Sequence, residues 1–140
     1  MKIIQGKTKD ILQKALGLRY EVFVKEQNVP VGIERDSCDK TATHVIVIDN
    51  DTGECIGCGR LVIKDGIAKI GRVAVKKSFR EKGYGRGICL ELIKIARESD
   101  INDIRLNSQL EVAGFYKKLG FKEYGDIFIE ANMKHVAMKL

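Results

Sequence analysis

A single proline stands among 140 residues, and no Pro/Ser-rich stretch or repeat of fixed period breaks the chain around it. Nothing marks a linker, so one domain over residues 1–140 is the expectation. Long apolar runs are missing too. Stretches such as Val45 to Ile48 fall far short of the roughly 20 residues a membrane helix needs, and Met1-Lys2-Ile3-Ile4-Gln5 has no signal-peptide core. A cytoplasmic protein without a membrane partner is expected. The cysteines, Cys38, Cys55, Cys58 and Cys89, include one C-x-x-C but no second pair and no suitably spaced histidine, which argues against zinc or redox chemistry. That C-x-x-C lies in a strand-like run, Glu54 to Lys64, where residues three apart point to opposite faces. Thiols serving as small apolar residues fit a reducing compartment. No D-x-[DN]-x-[DN]-G calcium loop is present either, so no metal is expected. The net charge of +6 comes from 25 basic residues spread among 19 acidic ones, with no dense basic run. Nucleic acid is therefore disfavoured, and a small polyanionic cofactor explains the excess equally well.

What is present is enough apolar material for a core, at 44% hydrophobic residues, arranged with clear periodicity. Lys2 to Gln5 reads as an edge strand. Ile11, Ala15, Leu18 and Val22 recur at helical spacing, predicting an amphipathic helix from Lys9 to about Lys25 with Thr8 as N-cap. Pro30 stops it and opens a loop, Gln27 to Thr41, with Glu26 at its border and Glu34, Asp36 and Asp39 within it. Those carboxylates fit either attraction of an amine or ordinary solvated loop positions. His44 to Ile48, Cys55 to Ile63 and Ile67 to Val75 follow as an antiparallel meander, joined by turn-rich 49–53 and by Asp65-Gly66. Ile88, Leu92 and Ile95 mark a helix beginning near Tyr84. Asp103 to Ser108 is a strand, Glu111 to Leu119 a short helix stopped by Gly120, and Glu123 to Glu130 with Lys134 to Leu140 a closing pair of strands. The fold class is α/β of the α+β type, a mixed and mostly antiparallel sheet of six to seven strands flanked by helices. Edge strands at either terminus are compatible with a homodimer.

The stretch Arg80-Glu81-Lys82-Gly83-Tyr84-Gly85-Arg86-Gly87 lies between the third meander strand and the long helix. Such a turn aims several backbone N–H groups at one place, at the positive end of a helix, which suits a phosphate or pyrophosphate. A dinucleotide fingerprint fails, because Ile88 stands where the third glycine belongs, and no Gly-Lys-Ser/Thr closes a P-loop. The pattern that does match is R-x-x-G-x-G before a helix, with Phe115-Tyr116-Lys117-Lys118-Leu119-Gly120-Phe121 some thirty residues later.

With these two motifs the sequence resembles the Gcn5-related N-acetyltransferase (GNAT) family. Leu18 to Gln27, Ile70 to Val75, Leu106 to Gln109 and the tail Phe128 to Met138 are similar to its ElaA-like branch. The resemblance implies that acetyl-CoA is the acyl donor. Backbone groups of Val73, Ala74 and Val75 would pair with its pantetheine arm, and residues Arg80, Glu81, Lys82, Gly83, Tyr84, Gly85 and Arg86 would cradle its pyrophosphate, with Lys118 on the same side. Glu81 departs from the glycine many members carry there and is expected to point outward.

The resemblance also implies a mechanism, direct attack of a small-molecule or peptide amine on the thioester. Tyr116 is the candidate acid for the departing thiolate. Glu26, Glu130 and His135 are candidates for the base, and Gln27, Glu34, Asn107 and Gln109 for the acceptor site. His135 is expected on the strand face opposite Val136, Met138 and Leu140, while His44 reads as structural. An acyltransferase using another acyl-CoA and a non-catalytic coenzyme A-binding module are the alternatives.

Overall fold

The computed structural model describes residues 1–140. β1 (Lys2–Gly6) leads into α1 (Lys9–Arg19), whose N-terminus is capped by the Thr8 hydroxyl accepting from Ile11 N–H at 3.3 Å. The helix predicted to run to Lys25 changes character at its end. From Tyr20 to Glu26 it winds as a π-helix, then closes with Asn28 at φ 60° and Val29 N–H bonded back to the Phe23 carbonyl at 2.9 Å. The loop expected over 27–41 holds a one-turn α2 (Val31–Glu34) after Pro30 and a 3-10 turn, Ser37–Lys40, boxed by Asp36 and Asp39.

β2 (Thr43–Ile48), β3 (Cys55–Lys64) and β4 (Ile67–Val75) form the predicted antiparallel meander, with Asp65 and Gly66 both at positive φ in its tighter turn. α3 (Tyr84–Glu98) carries the chain over the sheet to β5 (Asp103–Gln109), which runs parallel to β4. α4 (Ala113–Lys118), β6 (Lys122–Glu130) and β7 (Met133–Lys139) complete the seven-stranded sheet, ordered β1-β2-β3-β4-β5-β7-β6. The C-terminal strand is therefore not an edge. β7 inserts between β5 and β6, and the free edges are β1 and β6. No helix is long and apolar enough to cross a membrane.

The two faces of the sheet bury separate apolar clusters. On one, Ile88, Leu92 and Ala96 of α3 are completely excluded from solvent against Val45, Leu61, Ile70, Ile104 and Met138. Each such Ile or Leu contributes about 1.5–3 kcal/mol. α3 lies unusually close to β3, because Gly57 and Gly59 stand beneath it. A Cβ on Gly59 would meet Ile88 Cγ2 at 2.7 Å and Leu92 Cδ1 at 2.9 Å. On the other face Ile11, Ala15, Leu18 and Val22 pack on Ile46, Cys58 and Ala74. Cys55 joins this second cluster together with Cys58, against the expectation that the two face apart. The register slips where Val47 pairs with Gly57 but Ile48 with Cys55, and that bulge at Ile56 restores Cys55 to the Cys58 side. Both thiols are free, and burial first of all pushes Cys55 up to about 11 and Cys58 higher still. They are inert apolar packing.

Candidate active site

The parallel pairing of β4 with β5 ends at Ile70 opposite Leu106. Beyond it the strands part, β5 continuing alongside β7 and β4 alongside β3. The β5-facing backbone groups of Gly71 to Val75 thus lose their ladder partners inside a cleft of about 1070 Å³. Part of the divergence has a local cause. Arg72 sits at φ 51°, in a bulge where the β3 register slips between Cys58 and Arg60.

At one end of the cleft stands the glycine turn. Gly83 adopts φ 89° as the N-cap of α3, with no side chain capping the helix. The first intrahelical bond runs from Gly87 N–H to Gly83 O at 3.0 Å, so the N–H groups of Tyr84, Gly85 and Arg86 have no helical partner. Free N–H groups at the positive end of a fifteen-residue helix make an anion cradle. Glu81 is exposed at the rim of the cleft and takes φ 63°, the left-handed region that favours glycine. Gly85 packs under Phe115, where a Cβ would come within 3.4 Å of the ring.

Tyr116 lies on α4 at the wall of the cleft, its ring edge-on to Phe115 at 5.0 Å and to Phe121 at 6.0 Å. Burial, with Cys89 adding to it, pushes its phenol well above the usual tyrosine range, so the hydroxyl keeps its proton. Across the cleft, strand register gathers the polar residues. His135 pairs directly with Gln109, and Asn107 with Ala137, which sets Asn107, Gln109 and His135 on one face of the sheet. His135 is buried at the wall of the cleft. Its ring stacks on Phe128 at 5.8 Å, with Nδ1 2.9 Å from the Met133 carbonyl and Nε2 3.6 Å from Glu130. A carbonyl can only accept, so Nδ1 donates to it, and Nε2 is the ring nitrogen left for proton exchange. Gln109 Nε2 donates to Gln27 Oε1 at 2.9 Å.

Of the residues named from the sequence as catalytic, donor-binding or acceptor-binding candidates, all but Glu26 and Lys82 line the cleft. The Glu26 carboxylate accepts from Arg80 Nη2 at 2.8 and 3.0 Å, and Arg80 Nε donates to the Val75 carbonyl at 2.8 Å. Lys82 lies over the Phe79 ring at 5.7 Å. Glu34 reaches the cleft but is not a free carboxylate. Only 3% exposed, it binds Arg19 through both oxygens and takes Arg72 Nε at 3.1 Å.

The cluster around Glu34 escaped the sequence reading. Arg19, Arg60 and Arg72 interlock with Glu34, Asp36 and Asp39, three cations with three anions, and hold α2, whose Ile33 and Glu34 line the cleft, in place. Burial alone would raise Asp39, yet hydrogen bonds and charge from Arg19 and Arg60 hold it far below the usual carboxylate range. The arginine hydrogen bond likewise lowers Asp36. A carboxylate-rich loop is thereby neutralised from within. The available signal was an arginine inside each of three apolar patterns, at positions 19, 60 and 72. His44 has the structural place expected of it, buried with Nε2 2.9 Å from the Asp39 carbonyl.

Comparison with known proteins agrees with this geometry. Residues 7–140 match the family model described as an acetyltransferase (GNAT) domain. The uncharacterized N-acetyltransferase YjcF of Bacillus subtilis is 37% identical over 139 residues, covering 99% of this chain and 98% of its own. An acyl-CoA N-acyltransferase from Pseudomonas aeruginosa and ElaA from Escherichia coli each superpose with a TM-score of 0.88 at 24% identity, over 99% of both chains, a likeness of fold.

Proposed function

The chain belongs to the GNAT acetyltransferase family, which transfers acyl groups from acyl-CoA, and on that premise we propose that it moves acetyl from acetyl-CoA to a primary amine of a small molecule or peptide. The observation that carries this reading is the parting of β4 from β5 beside the uncapped N-terminus of α3. Unpaired strand backbone suits the amide-bearing pantetheine arm, and unfilled helical N–H groups suit its pyrophosphate.

In this reading the backbone of Val73, Ala74 and Val75 aligns the thioester and polarises its carbonyl, and preorganised donors of that kind supply the largest share of stabilisation for a developing oxyanion. The stretch from Arg80 to Arg86 anchors the pyrophosphate, with Lys118 adding positive charge at the same side. Amine attack forms a C–N bond and breaks the C–S bond, so one proton must leave the amine and one must reach the sulfur. His135, through Nε2, takes the amine proton directly or through water, and the exposed Glu130 carboxylate 3.6 Å away steadies the resulting cation. Tyr116 donates toward the departing thiolate. Asn107, Gln109 and Gln27 orient the amine. Glu26 and Glu34 transfer no proton in this scheme, because each carboxylate is shared with arginine.

An amine panel incubated with acetyl-CoA and read by thiol release tests the proposal. Release that requires both components is the expected result. Failure to bind acetyl-CoA in calorimetry, with salt-dependent binding to random duplex DNA instead, would overturn it.

A further inference from the structure

Two consecutive residues bridge the parted strands. Glu26 ends the π-helix and holds Arg80, the residue that opens the phosphate turn and caps the Val75 carbonyl at the end of β4. Gln27, the next residue, holds Gln109 at the end of β5. One contact therefore fastens to each arm of the cleft, and both originate from a segment continuous with α1 and followed by the α2 cover. The Arg80–Glu26 pair is about one-third exposed on either side, so it adds little to global stability. Its worth lies in geometry, since Nη2 is held by the Glu26 carboxylate and Nε by the Val75 carbonyl, and two tethered nitrogens of one planar guanidinium fix its orientation.

We propose that Glu26 and Gln27 are positioning residues, a strap that fixes the width of the cleft and couples donor binding to the acceptor-side helix. Glu26 acts through Arg80 and Gln27 through Gln109. The inference rests on the acetyl-CoA reading of the site. Arg80 held between Val75 and Glu26 presents its remaining edge toward the phosphate turn without having to be ordered when the donor arrives, which lowers the cost of binding. By reciprocity, the donor then stabilises the segment that carries Glu26.

Acetyl-CoA titration calorimetry on the full chain tests the strap. Glu26→Ala is expected to weaken acetyl-CoA about tenfold and Glu26→Gln, which keeps one acceptor oxygen, about threefold. In an Arg80→Ala background, Glu26→Ala should change affinity less than about twofold. Amide hydrogen exchange supplies a second readout: acetyl-CoA should protect Tyr20 to Glu34 in the wild type and not in Glu26→Ala. Unchanged affinity in Glu26→Ala, equal losses in both backgrounds, or protection in both proteins would overturn the proposal. Wild-type protein that does not bind acetyl-CoA would instead remove the functional reading beneath it. Glu26→Gln that binds acetyl-CoA normally but abolishes turnover would return Glu26 to the role of base.

Discussion

Arg19 donates from Nε to both carboxylate oxygens of Glu34, at 3.1 and 2.9 Å, with the two side chains almost wholly excluded from solvent. Helix α1 and the cover α2 are joined by that contact. Glu34→Gln would leave Arg19 and Arg72 facing a neutral amide inside a low-dielectric site, and the expected loss is about 3–5 kcal/mol. Urea denaturation reads it as a lowered midpoint. A variant with the wild-type midpoint but no amine-dependent turnover would assign Glu34 to the acceptor instead.

Acid should lower stability in two steps. Burial lowers the pKa of His44 below its ordinary 6.5, so the unfolded chain binds a proton there that the folded chain refuses. Its contribution is complete above pH 6.5 and is lost as pH falls below that value. Asp36 and Asp39 are depressed below 3.8 by their arginines, and their contribution persists until pH falls through that range. Urea midpoints at pH 7.5, 5.5 and 3.5 should decline at each step, and His44→Gln should flatten the first decline alone. Equal midpoints at pH 7.5 and 5.5 in the wild type would refute the assignment.

Crowding beneath α3 gives a sharper test of packing. Gly59→Ala forces a methyl into Ile88 and Leu92 and should cost about 1–3 kcal/mol. Because α3 carries the anion cradle at its N-terminus, acetyl-CoA affinity should fall with it. Gly17→Ala, in α1 with nothing within 4 Å of the new atom, should instead stabilise by up to about 1 kcal/mol. Thermal melts of the two variants in opposite directions are the expected result.

Much of this arrangement was readable because local patterns dictate it. Alternation in 43–48 and 55–75, Asp65-Gly66 and the Ile88/Leu92 stripe specify strands, turn and helix within a few residues. Long-range placement was not readable. Period-two patterning says that Lys134 to Leu140 is a strand, but not that it inserts beside β5. Arg19 meets partners fifteen and twenty positions away, and Arg60 partners more than twenty away. A lone arginine in an apolar stripe looks the same whether it is paired or solvated. The π-helix kept the apolar spacing of an α-helix, and its consequence, Glu26 directed at Arg80, was invisible for that reason.

Glu81 tests whether the phosphate turn is at its best. Its φ of 63° costs a residue with a Cβ about 1–2 kcal/mol, which glycine would avoid while losing about 0.5–1 kcal/mol to unfolded-state entropy. Glu81→Gly should therefore leave stability within about 1 kcal/mol of wild type. It also removes a carboxylate from beside the anion cradle, so acetyl-CoA should bind a few-fold more tightly. Weaker binding would mean that the Glu81 side chain holds the turn in place.

Tyr116→Phe separates packing from chemistry. The ring contacts to Phe115 and Phe121 survive the change, so fold and acetyl-CoA affinity should hold. General acids contribute about 10²–10⁴ in rate. Here the phenol lies well above its ordinary range because of burial, whereas a thiol ordinarily titrates near about 8.5. In the proposed scheme complete transfer from phenol to thiolate is uphill, so most of the benefit would come from a hydrogen bond that strengthens as charge grows on sulfur, with the proton arriving from solvent afterwards. The expected loss in turnover is accordingly near the lower end, about 10²-fold, and the pH–rate profile should show no limb assignable to Tyr116 below pH 10. Replacing the thioester by an acyl donor with a more acidic leaving group should shrink the difference between Tyr116→Phe and wild type, since a thiolate that needs less stabilisation gains less from the hydroxyl. A folded Tyr116→Phe with unchanged turnover would leave Tyr116 as a wall of the cleft and nothing more.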